Sequence, residues 1–506
     1  MLKVQYSTQW STDRCNGRIL IALKTLTIQL HRYIGIPVSV IVVMWFLSGI
    51  VMMYTRGMPA LTESQSLQLA STIPVAQIAL TPAEVMRRND LALSPQTLTI
   101  NTLQLRPVYR FPDGIVIFAD DGERFDGIDE QTGQEIVATA FQLPTARVVF
   151  SEVLFEPDQW TITERRHLPL LKYTVVNEHY SEAYVSMSSG EIVLVTDRKS
   201  RFLAWIGAIP HWIYFTGLRT NQPAWFWTII ILSGIACLVS MLGLVLIVTQ
   251  FEKSSPLNLH NSIRYRGLMR WHYLAGVLFG LLALTWLFSG LLSMDPFDWN
   301  QRRGIEVNVM ALNAGAPLTE SIDGQVIASL SAAPTLKKIE IRNVLSRPGI
   351  FTHHADTDGN HFTTPVNFAA VSGSPTASDY VSVLEKITNT PVLEVESLNA
   401  YDHYYYDRDH EMPLPVLRVD FDDAEQSTVY LNPATGKLVG QTHRLARVDR
   451  WLFNGLHSLD FAFWYDNRPL WDVAVIALSL GGLATSGTGL VLGVRRFRRW
   501  LVRRSA

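Results

Sequence analysis

Four uninterrupted apolar runs decide most of what this chain can become. A helix needs roughly 20 apolar residues to cross the hydrocarbon core of a bilayer. The runs at 33–54, 224–249, 273–294 and 470–493 each reach that length. Hydrophobic residues make up 48% of the chain and charged ones only 17%, a balance that suits membrane segments better than a soluble core. The expected fold class is an α-helical membrane protein with four transmembrane helices in two parallel repeats. Each repeat is expected to carry an inserted α+β exported domain.

Positive charge orients the spans, because Lys and Arg collect in cytoplasmic segments. The tail "VRRFRRWLVRRSA" follows the last run, Lys253, Arg264, Arg266 and Arg270 lie between the second and third, and Lys3, Arg14, Arg18 and Lys24 precede the first. Both termini are therefore expected in the cytoplasm, in a bacterial inner membrane. The polar start has no cleavage-site pattern, so the first run reads as an uncleaved anchor. The expected segments are a cytoplasmic N-terminus at 1–32, exported regions at 55–200 and 295–444, and interfacial helices at 201–217 and 445–463. A cytoplasmic loop at 250–271 and a basic tail at 494–506 complete the layout. A net charge of −2 implies no polyanion, and so no nucleic acid, as partner. The two cysteines, Cys15 and Cys237, both fall outside the exported regions, which excludes a disulfide framework or a thiolate metal site there.

The chain repeats itself. "AWIGAIPHWIYFTGLRTNQPAW" from Ala204 matches "RWLFNGLHSLDFAFWYDNRPLW" from Arg450 without a gap, pairing Trp205 with Trp451, His211 with His457 and Phe215 with Phe461. The same offset pairs Arg201 with Arg447 and Gly243 with Gly489. A second match joins "HRYIGIPVSVIVVMWFLSGIVMM" from His31 to "HYLAGVLFGLLALTWLFSGLLSM" from His272. With two spans per half, both halves point the same way, related by a pseudo-two-fold axis along the membrane normal. Equivalent residues then share a depth: His31 and His272 at the cytoplasmic edge, His211 and His457 at the exported edge. In the exported regions "LTPAEVMRRNDL" and "DYVSVLEKITNT" read as amphipathic helices. "LQLRPVYRF", "GIVIFADD" and "VLRVDFDD" read as strands.

A histidine at a membrane interface is often an anchor or a hydrogen-bonded core residue. Four of them in two symmetric pairs favour function, since ionisable groups among spans are costly. Two facing imidazoles suit bis-histidine ligation of a haem, with copper or zinc as the other metals they could hold. Gly35 and Gly276 lie one turn after His31 and His272, where a missing side chain leaves room for a flat macrocycle. Gly49 and Gly290 share that helix face about 27 Å further along, at the depth of a second ring. Trp45 and Trp286 fall between the levels. Arg32, Arg201, Arg447 and Arg450 are candidates to pair with haem propionates. Each haem would bridge the two halves rather than use histidines spaced along the same helices.

The stretches "LHRYIGIP…WFLSG", "RWHYLAG…WLFSG", "YLNPATGKLV…RWLFNGLHSLDF" and "RPLWD" resemble the PepSY-associated transmembrane family over residues 28 to 495. The resemblance implies PepSY-like exported domains and two b-type haems, held by His31, His272, His211 and His457. Members include di-haem reductases of ferric siderophores. The function it implies is electron transfer across the membrane to a ferric siderophore or other ferric chelate. The chain has no dinucleotide fingerprint, so electrons would come from quinol or a cytoplasmic reductase. The rival readings are a non-catalytic PepSY binding module on a membrane anchor and a transporter-associated component.

Two polar clusters remain. "AYDHYYYDRDHEMP" holds Tyr404, Tyr405, Asp407 and His410, which are candidates to contact substrate or a protein donor; a polar strand-turn edge is the alternative. "THHADTDGNH" carries His353, His354 and His361, expected as a solvated turn rather than a metal site.

Overall fold

In the computed structural model, residues 4–55, 57–91, 97–251, 263–299, 303–315, 318, 322, 324–329, 333–356, 361–366, 375–408 and 410–505 are described. Lys3 and Lys253 lie outside them, as do residues 357–360 of the histidine-containing turn. The chain divides into two compact units. One comprises 1–57, 203–301 and 448–506, and the other 58–202 and 302–447.

The first unit is built on four long helices, Val4–Met52, Gln222–Thr249, Leu268–Leu292 and Leu470–Ser505. All four are long and apolar enough to cross a membrane. Only 22–28% of each apolar window is buried within the protein, so most of that surface needs an apolar solvent. The first and last helices run past the limits read from hydropathy, because nothing in the flanking "LIALKTLTIQ" or "RRFRRWLVRR" breaks a helix. Asn221 caps the second helix, accepting from the Ala224 amide at 3.2 Å, with Pro223 in the first turn. The helices contact in a closed ring, first to second, second to third, third to fourth and fourth to first. The first and third therefore face each other diagonally. Their shared core is Val38, Val42, Phe46, Ala236, Val239 and Ala283, flanked by Trp45 and Trp286. The fourth helix comes close through Gly481 and Gly482, where a Cβ would collide with the Phe279 and Phe46 rings.

The interfacial segments are not single helices. Arg198–Ile206 gives way to Ala208–Trp212, and Arg444–Arg450 passes through one π turn, Trp451–Gly455, into Leu456–Ser458. Each stops at a left-handed residue, Ile213 or Leu459, both at φ 51°. These equivalent breaks turn the chain toward the next long helix.

The second unit contains three antiparallel sheets. Strands β1 (Thr97–Leu103), β2 (Arg106–Arg110) and β3 (Val116–Phe118) form a meander, as do β8 (Leu336–Val344), β9 (Arg347–Ala355) and β10 (His361–Val366). The remaining strands are β4 (Val148–Leu154), β5 (Leu170–Val175), β6 (Ser181–Ser186) and β7 (Ile192–Thr196), and then β11 (Val392–Leu398), β12 (Val416–Phe421), β13 (Thr428–Asn432) and β14 (Lys437–Thr442). They make two four-stranded meanders, β4-β5-β6-β7 and β11-β12-β13-β14. A helix accompanies each, Glu130–Ala140 capped by Asp129 and Ala377–Thr388 capped by Thr376.

One expectation needs correction. The two exported regions are not separate domains. The first meanders join through β1 and β8 into one six-stranded sheet, ordered β10-β9-β8-β1-β2-β3, with Thr97 opposite Arg342 and Ile100 opposite Ile339. Each meander alone would expose an edge strand with unpaired backbone groups, and pairing the two edges removes both. The sheet's core, including Leu98, Ile100, Tyr109, Ile117, Ile339 and Ile341, draws on both segments.

Candidate functional site: two histidine pairs

His31 on the first helix and His272 on the third meet across the ring of helices, with ring centroids 6.2 Å apart and planes 40° apart. Toward the other end of those two helices, His211 and His457 meet with centroids 6.0 Å apart and planes 70° apart. The short helix carrying His211 packs on the first long helix, and the one carrying His457 packs on the third. Each pair therefore draws one ring from each half of the sequence.

Hydrogen bonds fix which ring nitrogen is available. His31 Nδ1 lies 2.9 Å from the Val239 carbonyl, and His272 Nδ1 lies 3.0 Å from the Thr485 carbonyl. A carbonyl only accepts, so both Nδ1 atoms carry the proton. His211 Nδ1 is 3.1 Å from Ser48 Oγ, whose own hydrogen goes to the Met44 carbonyl at 2.8 Å. His457 Nδ1 is 3.0 Å from Ser289 Oγ, whose hydrogen goes to the Trp286 carbonyl at 3.0 Å. All four imidazoles are thereby held with the Nε2 lone pair unengaged by these bonds, the arrangement that second-shell partners give a metal-ligating histidine. Burial, reinforced by the neighbouring His457, pushes His211 down to about 4, and burial lowers His457 too, which favours the neutral form of both rings.

Glycines make room for the rings. A Cβ on Gly243 would approach His31 Cε1 to 2.9 Å, and one on Gly489 would approach His272 Cε1 to 3.2 Å. Gly49 and Gly290 stand in the same relation to His211 and His457, at 3.4 and 3.6 Å. A Cβ on Gly49 or Gly290 would meet these imidazoles only in ordinary van der Waals contact. Gly35 and Gly276 do line open volume. Their added Cβ atoms would make only ordinary contacts, 3.5 Å to Val239 and 3.7 Å to Ile247. They border a cavity of about 360 Å³ that also includes His31 and His272 and reaches Arg32, Arg496 and Arg499. Gly243, Gly489, Ser48 and Ser289 contact the histidine rings, which the histidine motifs alone do not show. The repeat alignment pairs Gly243 with Gly489 but assigns them no role. Trp45 and Trp286 stand one turn from Gly49 and Gly290, and their buried indole nitrogens have no hydrogen-bond partner among the described residues.

Other candidates sit elsewhere. Arg201 and Arg447 stand on the helices Arg198–Ile206 and Arg444–Arg450. Both belong to the sheet unit: Arg447 donates to the Gln426 carbonyl at 2.6 Å and to Thr428 Oγ1 at 3.3 Å, while Arg201 donates to the Tyr180 carbonyl and Thr196 Oγ1, each at 2.8 Å. Each guanidinium fastens the start of a helix to its sheet. Arg450 donates to the Asp460 carbonyl at 2.8 Å. Tyr405 is 1% exposed, stacks on Tyr430 at 5.0 Å and donates to the Pro413 carbonyl at 2.8 Å, so it is a core residue and offers no surface. Asp407 organises its own loop, accepting from the Glu411 and Met412 amides at 2.8 and 3.1 Å. His410 stacks on Tyr401 at 5.6 Å. Tyr404 is exposed, as His410 is, with the Arg447 guanidinium 5.7 Å from its ring centre. His353, expected in a solvated turn, is instead buried in β9 beside Glu340, with Nε2 to Oε2 at 3.4 Å. Among the described residues no group of three or more His, Cys, Asp or Glu is placed to hold a metal ion.

Four membrane-length helices with a β-sheet unit inserted between them define a multi-pass membrane protein with a folded extramembrane part. The chain belongs to the PepSY-associated TM region family, whose model matches residues 28–325. No match to a curated protein is found.

Proposed function

We propose that this protein is a di-haem b electron carrier of the bacterial inner membrane. It would pass electrons outward to reduce a ferric complex, such as a ferric siderophore, on the exported side. The carrying observation is the spacing of the two histidine pairs. Two imidazoles bonded to one iron at about 2 Å per bond would hold their ring centres about 6 Å apart, and the observed separations are 6.2 and 6.0 Å. The donor count agrees. A zinc site calls for about four protein ligands, whereas each pair here supplies two. Two is what a macrocycle that already provides four nitrogens requires.

His31 and His272 would hold the inner haem in the glycine-lined cavity, with Arg32, Arg496 and Arg499 at its margin as partners for propionates. His211 and His457 would hold the outer one. Bound haem supplies reversible one-electron chemistry at iron. The protein's own residues fix the imidazole tautomers, surround the rings with apolar side chains and keep both sites at set positions along one bundle. Reduction would release iron from hard oxygen ligands, which hold Fe(II) less tightly than Fe(III). Quinol or a cytoplasmic reductase would supply the electrons.

The parallel repeat and the orientation with both termini inside belong to the same proposal. Matched breaks at Ile213 and Leu459, and matched partners Val239 with Thr485 and Ser48 with Ser289, support the repeat. The test is an absorbance spectrum of the purified protein. It should show a Soret band that shifts on dithionite, with about two haems per chain. A colourless protein obtained from haem-replete cells would overturn the proposal and favour a non-catalytic PepSY anchor.

A further inference from the structure

The sheet unit contains a second cavity, also of about 360 Å³, on one face of the six-stranded sheet. Its floor follows from strand alternation. Thr97, Thr99 and Asn101 are every second residue of β1, so they share a face. Arg110 stands opposite Thr99 on β2, and Lys337 and Lys338 reach the cavity from β8. Ser66 closes one side.

The charges are built in. Arg110 is only 11% exposed and is clamped by Asn101 Oδ1 at 2.9 Å and the Ser189 carbonyl at 2.8 Å. Its ion partner Glu191, at 3.4 Å, is 41% exposed. Lys337 has a single long contact, to Thr72 Oγ1 at 3.4 Å, and Lys338 reaches an exposed Glu63 only at 3.7 Å. Among the described lining residues three cations face one carboxylate, with hydroxyls and an amide between them.

The matching place in the other half is filled. The β1–β2 turn pairs Leu103 with Arg106, and the β8–β9 turn pairs Val344 with Arg347, which sets the equivalence. Thr99 then corresponds to Glu340, Asn101 to Arg342, and Arg110 to Phe351. There Glu340 lies within the sheet against Lys437 at 3.0 Å, His353 at 3.4 Å and Arg342 at 3.4 Å. Charge is neutralised internally on that side and left for a visitor on this one.

We propose that this cavity binds a small polycarboxylate, either free or wrapped around a trivalent metal ion. Its volume is near the low end for ligand pockets, which are about 300–1,000 Å³, so it suits a compact anion rather than a large chelator. The fixed Arg110 guanidinium would take one carboxylate and the two lysines a second, with Ser66 and Thr97 as hydroxyl partners. The proposal stands apart from the haem reading.

The test is calorimetric titration of the full-length purified protein with citrate and with redox-inert gallium(III) citrate. At least one should bind, more weakly as salt is raised. Lys337→Gln with Lys338→Gln should weaken that binding at least tenfold, while the melting profile stays unchanged because both side chains lie at the cavity margin. Tighter binding of gallium citrate would identify a metal chelate as the ligand, and tighter binding of citrate a free acid. No binding of either at millimolar concentration would overturn the proposal. So would an affinity indifferent to both salt and the double substitution.

Discussion

Gly243→Ala is the most informative small change, because its consequence can be worked out from one distance. The new methyl would lie 2.9 Å from His31 Cε1, while carbon atoms rest at about 3.5–4.0 Å. The ring must retreat by roughly 0.6 Å or more. It cannot do so freely, because Nδ1 is tied to the Val239 carbonyl at 2.9 Å on the same helix as the intruding methyl. Overpacking of this kind costs about 1–3 kcal/mol, which corresponds to roughly a 5- to 150-fold loss in affinity for whatever both imidazoles hold. Gly290→Ala is the control. Its methyl would sit 3.6 Å from His457 Cε1, an ordinary contact. Haem titration of the apo-protein, followed by absorbance, should show Gly243→Ala weakening one site by roughly that 5- to 150-fold factor and Gly290→Ala leaving both unchanged. Equal affinities in the two variants, or a larger loss at Gly290, would refute the assignment of these glycines to the histidine rings.

Ser48→Ala and Ser289→Ala each remove the nearest Nδ1 partner and leave a backbone carbonyl, Trp45 for His211 and Trp286 for His457; a titration should show comparable changes at the two sites, at most about 10- to 100-fold in binding, and a large effect at one with none at the other would contradict their equivalence. Tyr405→Phe leaves the Pro413 carbonyl without its donor and should lower the stability of the sheet unit by about 1–3 kcal/mol with ferric reduction unchanged; Tyr404→Phe should leave the melting curve in place, and slowed reduction in that variant would assign the exposed tyrosine a substrate contact. Burial would raise the Glu340 pKa, but His353, Lys437 and Arg342 more than offset it and hold the carboxylate far below its ordinary range. The stability it contributes is present above the usual carboxylate pKa and is lost only as pH falls toward the depressed one, so an acid melting series on Glu340→Gln should show a flatter low-pH limb than the wild type.

The four long apolar helices, the helix Pro82–Arg88 and the meeting of His31 with His272 and of His211 with His457 were legible in the sequence, because hydropathy and period act locally and the matched stretches put these histidines in corresponding places. What it hid depends on non-local geometry. The β1–β8 junction joins residues some 240 positions apart, and neither strand's alternation names its partner. Nothing in the order of residues says that the side chain beside Gly49 is His211 from another helix. Nor does the order of residues show that Arg447 and Arg201 reach the backbone carbonyls of Gln426 and Tyr180. Tyr405 was indistinguishable from Tyr404 in "YDHYYYD", and the loop turn that buries one ring and exposes the next is set by Asp402, which accepts from both amides at 2.6 and 2.7 Å.

The central claim is that each iron is shared between the two halves of the chain. Low-temperature electron paramagnetic resonance on single alanine variants of His31, His272, His211 and His457 addresses it directly, since two bis-histidine haems in different surroundings give separate low-spin signals. His211→Ala and His457→Ala should lose one and the same signal, and His31→Ala and His272→Ala should both lose the other. If His457→Ala removes the signal lost in His272→Ala and spares the one lost in His211→Ala, the cross-half pairing is wrong.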